Sequence, residues 1–443
     1  METADGQPLS VGPPLAAVDI AGAVVSSPEA EPEPCLILSL PSELKLLIFS
    51  LLDGESLLSL SATCRALREI VTGISSDDLW KSVCSHLVRP SLPREAPMSP
   101  APYVSYRALF NALRLFMWFT PGLWHGNREI HGTLYLSRYN PGTGHIEVYS
   151  LLGLFEHSAG HTFHRWSRNP AVLMLDTRPM IQRPASPILR FSSGSRYDRT
   201  SEITQKHHPR GLQTSFVHAA ALSSDRVNYK QMKLWPPLTM PARDRTRNDS
   251  PTAFRGQLIS PLDASPYLFR LRQEISFAGS SSGSTIKMAE RVETIARVPD
   301  DLLIPDEEHP YRGLWIADYD SHGGEFMFFH QPTANSLHAV KLTGDPNVPR
   351  GEYTFLVDDL SHTERIATEE EWPGARVVAA RGQTAAFNFT NPTLSPTQLI
   401  LISPDVVCHY WINVYRITIY RRVDVDDLIS GGSGISYSGC LVP

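Results

Sequence analysis

Two hydrophobic periods divide this chain. From Leu36 to about His86 apolar residues recur at helical spacing, whereas beyond Thr120 they alternate or gather in short runs. A chain patterned in this way has to set a small helical unit ahead of a mainly antiparallel β-structure, so the expected class is α+β. Leu44, Leu47, Ile48, Leu51 and Leu52 follow the 3, 4, 7, 8 spacing of a helix with one apolar face, and Pro41 sits where a helix begins. Asp53-Gly54 reads as the end of that helix, with Gly54 as its cap. Ser56 reads as the cap of a second helix carrying Leu57, Leu58 and Leu60, and a third segment carries Leu67 and Ile70 and stops at Gly73.

The β-region is punctuated by Gly, Pro, Asn and Asp clusters. Strands are expected at Ile146–Leu152, Ala171–Leu175, Glu325–Phe329, Tyr353–Val357, Gln398–Ile402 and Tyr410–Tyr420, as in an antiparallel β-structure. Over the last of these, Tyr415, Ile417 and Ile419 face one way and Arg416 and Thr418 the other. One phrase occurs twice in one register: Gly122-Leu123-Trp124, six residues, His131-Gly132, and Gly313-Leu314-Trp315, six residues, His322-Gly323. It predicts two related hairpins, one in each half of a barrel, each turning at His-Gly.

The 443 residues divide into a disordered tail over 1–34, a helical module over 36–86, and a proline-rich linker with a mounting helix over 87–120. The β-domain follows over 121–430, with a polar insertion near 182–254, and then a flexible tail over 431–443. The mounting helix is read from Leu109, Phe110, Leu113, Phe116 and Met117. A net charge of −6 from 46 acidic and 40 basic residues offers no global field for nucleic acid. No apolar run approaches the roughly 18 residues of a membrane span. Five scattered cysteines without a CxxC pair indicate neither a disulfide framework nor a zinc site, and suit the cytoplasm or nucleus. His157, His161 and His164 lie close together but lack a metal-binding motif, and Gly279-Ser280-Ser281-Ser282-Gly283 stands in a Gly/Ser run rather than at a strand-to-helix turn. No cofactor and no catalytic residue is expected.

The string from Leu40 to Leu52, then Ser56 to Arg68 with its Thr63-Cys64-Arg65-Ala66-Leu67, and finally Leu79-Trp80, resembles the F-box. That resemblance implies docking on a Skp adaptor and through it a cullin, with Leu40, Pro41, Leu44, Ile48, Phe49, Leu51, Leu52, Leu60, Cys64, Leu67 and Trp80 as the adaptor-binding set. Residues Tyr311 to Phe326 and Val340 to Gly351 are similar to the C-terminal domain of the F-box group whose animal member binds cyclin D. Fungal members share these phrases, with Ala380-Arg381-Gly382-Gln383, Lys233 to Pro241 and a closing strand from Trp411 to Val423. The likeness departs in the polar insertion and around Arg381, where no role is carried over.

It implies a closed or nearly closed barrel reading a short client segment near a chain terminus. The candidate client residues are Trp124, His131, Trp315, His322, Glu325, Lys341, Asp345 and Trp411. Aromatic walls with a few polar groups suit such capture, while the plain reading of the three tryptophans is a barrel core. The expected function is therefore substrate recognition for a Skp–cullin–F-box ubiquitin ligase, non-catalytic in itself. A scaffold that uses the adaptor outside any ligase is the alternative.

Overall fold

The computed structural model describes residues 36–435 apart from 74–75, 89–98, 117–120, 129, 157–162, 176–177, 192–198, 209–210, 224–263 and 280–284. The expected tail at 1–34, most of the proline-rich linker, residues 224–254 of the insertion, the phrase Lys233 to Pro241, His157 and His161 lie outside the described residues.

The helical module consists of α1 (Leu36–Ser39), α2 (Ser42–Phe49), α3 (Gly54–Thr63), α4 (Arg65–Thr72) and α5 (Asp77–Val88), and α6 (Tyr106–Leu113) follows it. Asp53 does not close α2 but opens α3, its carboxylate accepting the Ser56 N–H at 2.8 Å. Gly54 is therefore the first residue of α3, where it lies flush on the ring of Phe110 from α6. Ser105 caps α6 through Ala108 N–H, and that helix buries Leu109, Phe110 and Leu113. One continuous core joins Phe49, Leu57, Trp80, Phe110 and Phe116 to Trp124, Phe191 and Phe269 of the β-region. The module is seated on the strands, not tethered beside them.

The strands run in chain order as β1 (Gly122–Gly126), β2 (Thr133–Asn140), β3 (His145–Glu156), β4 (Phe163–Trp166), β5 (Asn169–Leu175), β6 (Arg178–Gln182) and β7 (Leu189–Phe191). Next come β8 (Arg199–His208), β9 (Gly211–Ser223), β10 (Ala264–Gly279), β11 (Thr285–Arg297) and the short helix α7 (Asp300–Leu303). The rest are β12 (Gly313–Asp318), β13 (Gly324–Thr333), β14 (Ser336–Lys341), β15 (Tyr353–Val357), β16 (Arg365–Ile366), β17 (Arg376–Ala386), β18 (Thr390–Ser403), β19 (Val406–Trp411) and β20 (Arg416–Arg422), followed by α8 (Val425–Ser430).

Eight of these strands, β12, β13, β14, β15, β17, β18, β19 and β20, form a closed antiparallel barrel, since β20 pairs back onto β12. The first half builds the same circuit. Its ladder runs β7–β3–β2–β1–β11–β10–β9–β8, and its two end strands approach each other. The repeated Gly-Leu-Trp phrases open β1 and β12, so each belongs to its own barrel-like sheet and not to half of a shared one. In both, the tryptophan registers opposite an arginine of the last strand, Trp124 with Arg297 and Trp315 with Arg422. The residue after that arginine then donates to the Leu of the phrase, Val298 to Leu123 O at 2.9 Å and Val423 to Leu314 O at 2.8 Å, and a short Asp-Asp-Leu helix follows. His-Gly does make the turn in each, with Gly132 and Gly323 at positive φ.

Two long strands, β8 and β9, occupy part of the stretch read as a polar insertion. Tyr415 departs from its expected alternation. It takes a left-handed turn conformation at φ 54° just before β20, while Ile417 and Ile419 are buried. The two sheets touch where Gly153 of β3 pairs with Gly324 of β13, and a Cβ on Gly324 would lie 2.5 Å from the Gly153 carbonyl oxygen. The hairpin β4–β5, from the first half of the chain, crosses to the second barrel and pairs in parallel with β20.

Candidate functional site

The closed barrel is plugged at one end and open at the other. Its core is Trp315, Met327, Phe329, Phe355, Leu399 and Tyr420, alternate residues of strands facing inward. Trp315 stacks on Phe329 at 4.5 Å and donates its indole N–H to Tyr311 O, with the Arg422 guanidinium 4.7 Å from its ring. At the other end, past Asp318, lies a cleft of about 390 Å³. Among its lining residues are Tyr319, His322, Lys341, Asp345, Gln383, Trp411 and Arg416, with Leu173 and Leu175 from β5.

Lys341 is the centre of the cleft's polar wall. It is buried, and its Nζ lies 2.7 Å from Glu325 Oε2 and 2.5 Å from Asp345 Oδ2. The same ammonium stands 4.4 Å from the centroid of the Tyr319 ring. Burial pushes the Glu325 carboxyl up to about 8, against the pull of Lys341 and with the help of the Asp345 charge. Burial would also raise Asp345, but Lys341 and the Val348 N–H outweigh it and hold that carboxyl at about 2. The Tyr319 hydroxyl hydrogen-bonds both Thr354 and Tyr420 at 2.7 Å, closing a polar chain below the cleft.

Trp411 forms one side, its indole N–H donating to Thr418 Oγ1 at 3.0 Å. Gly382 is what lets it lie there, because a Cβ at that position would be 2.6 Å from the Trp411 ring. Gln383 lines the cleft while buried, and its Oε1 has no hydrogen-bond partner among the described residues.

Of the residues expected to touch a client, His322, Lys341, Asp345 and Trp411 line this cleft, and Glu325 lies directly behind Lys341. His131 stands outside it and braces its edge. Its Nδ1 hydrogen-bonds Gly344 O at 3.1 Å and its carbonyl accepts the Gly344 N–H, which fixes the loop carrying Asp345. Trp124 and Trp315 do not line the cleft, and both are fully buried in the cores of their own sheets. Sequence reasoning missed Tyr319, Gln383, Leu173, Leu175 and Arg416. Gln383 stood in the quoted Ala-Arg-Gly-Gln phrase, but nothing in the local pattern of β5 points to a partner two hundred residues downstream.

The helical module carries a second surface. Leu44, Ile48 and Leu51 are 47%, 40% and 83% exposed, and with Pro41 and Leu47 they make an uncovered apolar stripe along α2. Leu40, Leu52, Leu60 and Cys64 are half-buried at its flank. Of the other residues expected to meet the adaptor, Phe49, Leu67 and Trp80 are buried in the module's own core, and Trp80 donates to Val71 O.

Residues 37–86 match the family model described as F-box-like, and residues 294–427 match the one described as the cyclin D1 binding domain. A curated relative, F-box only protein 31-B of Xenopus laevis, is 45% identical over 62 residues, which is 14% of this chain and 10% of that protein. The matched stretch thus spans about a tenth of the relative's length. Among the described residues no helix is long and apolar enough to cross a membrane.

Proposed function

We propose that this chain, which joins an F-box-like module to a cyclin D1 binding domain, is the substrate-recognition subunit of a Skp–cullin–F-box ubiquitin ligase. The observation that carries the reading is the presence of two unlike surfaces on one chain, the first on the helical module and the second on the closed barrel. An apolar stripe on α2 is left uncovered at one place, and a half-polar cleft opens at the mouth of the closed barrel at another. The stripe docks the Skp adaptor by helix-to-helix contact, and the cullin follows through the adaptor. The cleft holds a short client segment near a chain end. The chain itself supplies no bond-making step, and its place of work is the cytoplasm or nucleus.

The charges in the cleft narrow the client further. Lys341 is already engaged by Glu325 and Asp345, and Asp318 and Asp320 add two carboxylates against the one further cation, Arg416, among the lining residues. A phosphate would enter a site without surplus positive charge, so an unphosphorylated, hydrogen-bonding segment suits it better.

The test is co-purification. The intact protein is expected to bring down both Skp adaptor and cullin, and Ile48→Asp to lose both while the β-region keeps its melting transition. Burying a charge in such a contact costs on the order of several kcal/mol. Undiminished adaptor capture by Ile48→Asp would remove the stripe from the docking role. An adaptor complex that never contains cullin would replace the ligase reading with the scaffold one.

A further inference from the structure

One part of the cleft lining is not built by the second barrel. It is built by Leu173 and Leu175 of β5, which lie outside the residues 294–427 matched by the cyclin D1 binding family. Along β5 the side chains alternate: Val172 and Met174 are buried in the layer with Trp166 and Ile417, while Leu173 and Leu175 are half-buried and line the cleft. Backbone pairing fixes their height. Leu173 registers with Arg416 and its N–H donates to Tyr415 O at 3.0 Å. The hairpin is fastened by Trp166, packed between Trp372 and Tyr410, and by Ser167, whose N–H and hydroxyl both donate to the Glu371 carboxylate.

The lining of the cleft is therefore mixed. Leu173, Leu175, Trp411, Val414 and Ile417 are apolar parts of it, and Lys341 and Gln383 are polar ones. The Gln383 carbonyl oxygen, buried without a donor, is satisfied when a ligand brings an N–H to it. With the acceptor and the leucines lining one cleft, the fitting occupant is an uncharged apolar residue beside a peptide N–H.

We propose that Leu173 and Leu175 are specificity-determining residues, a selector for one apolar side chain of the client segment whose adjacent N–H is held by Gln383. This rests on the cleft being the client site. Because the selector comes from β5, the choice of side chain belongs to this chain and not to the shared domain.

The experiment pans the full chain, in complex with Skp adaptor, against random peptide libraries displayed with a free amino end or a free carboxyl end. Wild type is compared with Leu173→Ala/Leu175→Ala, Leu175→Phe and Gln383→Leu. Wild type is expected to enrich peptides with one apolar position, and Gln383→Leu to lose them. Widening the wall with the alanine pair moves that position to larger side chains, and narrowing it with Leu175→Phe moves it to smaller ones. Each shift is expected at about tenfold, the usual worth of a methylene or two in an apolar pocket. Unaltered melting and adaptor capture establish that a variant is folded, and the alanine pair carries the test if the phenylalanine is not accepted. Enrichment that depends on Gln383 but keeps the same side-chain preference in both leucine variants overturns the selector alone. Absence of any Gln383-dependent peptide overturns the client cleft and the selector with it.

Discussion

A buried lysine between two carboxylates is an arrangement in which the partners do not titrate alike. Asp345 keeps its charge because Lys341 and backbone donors hold it, while Glu325, deeper in the barrel, is driven toward its protonated form. A carboxyl whose folded pKa is raised binds a proton the unfolded chain has already released. Its contribution is complete below the ordinary carboxylate range and is lost as pH rises through about 8. Wild type should therefore lose thermal stability between about pH 4.5 and 8, and Glu325→Gln should flatten that slope. Melting curves across the range check this, and an unchanged slope in the variant would show that Glu325 is ionised in the fold. The polar half of the site was legible in the sequence because Lys341, Asp345 and Glu325 stand near a turn rich in Gly, Pro and Asn. The tryptophans misled because size alone does not say which end of a barrel a side chain fills, and Trp124 and Trp315 sit at the start of their strands, away from the open mouth.

Elements were legible where one face is buried and opaque where cross-strand charges cover the other. Arg272 of β10 pairs with Glu274 along its own strand at 3.0 Å and with Glu290 of β11 across the sheet at 2.6 Å, so the hydrophobic alternation is diluted by Arg and Glu. Helix ends were mistaken where a side chain could serve either neighbour, as Asp53 shows by capping α3. Close packing between elements gives two matched expectations. Gly54→Ala would put a methyl about 2.2 Å from the Phe110 ring and lift α3 off α6. Gly382→Ala would drive β17 against Trp411. Overpacking of this kind costs about 1–3 kcal/mol. Denaturant titrations should show a loss of that order for both, with adaptor capture suffering in the first and peptide capture in the second. A Gly382→Ala protein that binds clients normally would mean that Trp411 is not a fixed wall.

At the scale of the whole molecule, the helical module and the first sheet share one core, with Trp80 5.1 Å from Phe110 and Phe116 5.2 Å from Phe191. They are expected to unfold together. Trp80→Ala should remove about 3–5 kcal/mol and shift a single transition, read by calorimetry, instead of melting the helices ahead of the strands. A separate early transition would show that the module is independently hinged. The order of helices then strands was readable from periodicity, but the doubled circuit was not, because beyond Gly-Leu-Trp and His-Gly its two copies share few residues. What they share is a seam: Arg297 and Arg422 each close their sheet opposite the opening tryptophan. Their mouths have diverged. In the first sheet Glu293 of β11 is spanned by the hydroxyls of Thr133 and Tyr135 from β2, whereas the ion-paired Lys341 of the second lines the cleft. One copy is a plinth and the other carries the cleft, and the β4–β5 hairpin thrown between them is a rivet. On the proposed function, a client seated against it would be held at a set bearing from the α2 stripe, so the lysines a ligase could reach would be chosen by the geometry of the arm as much as by the strength of the grip.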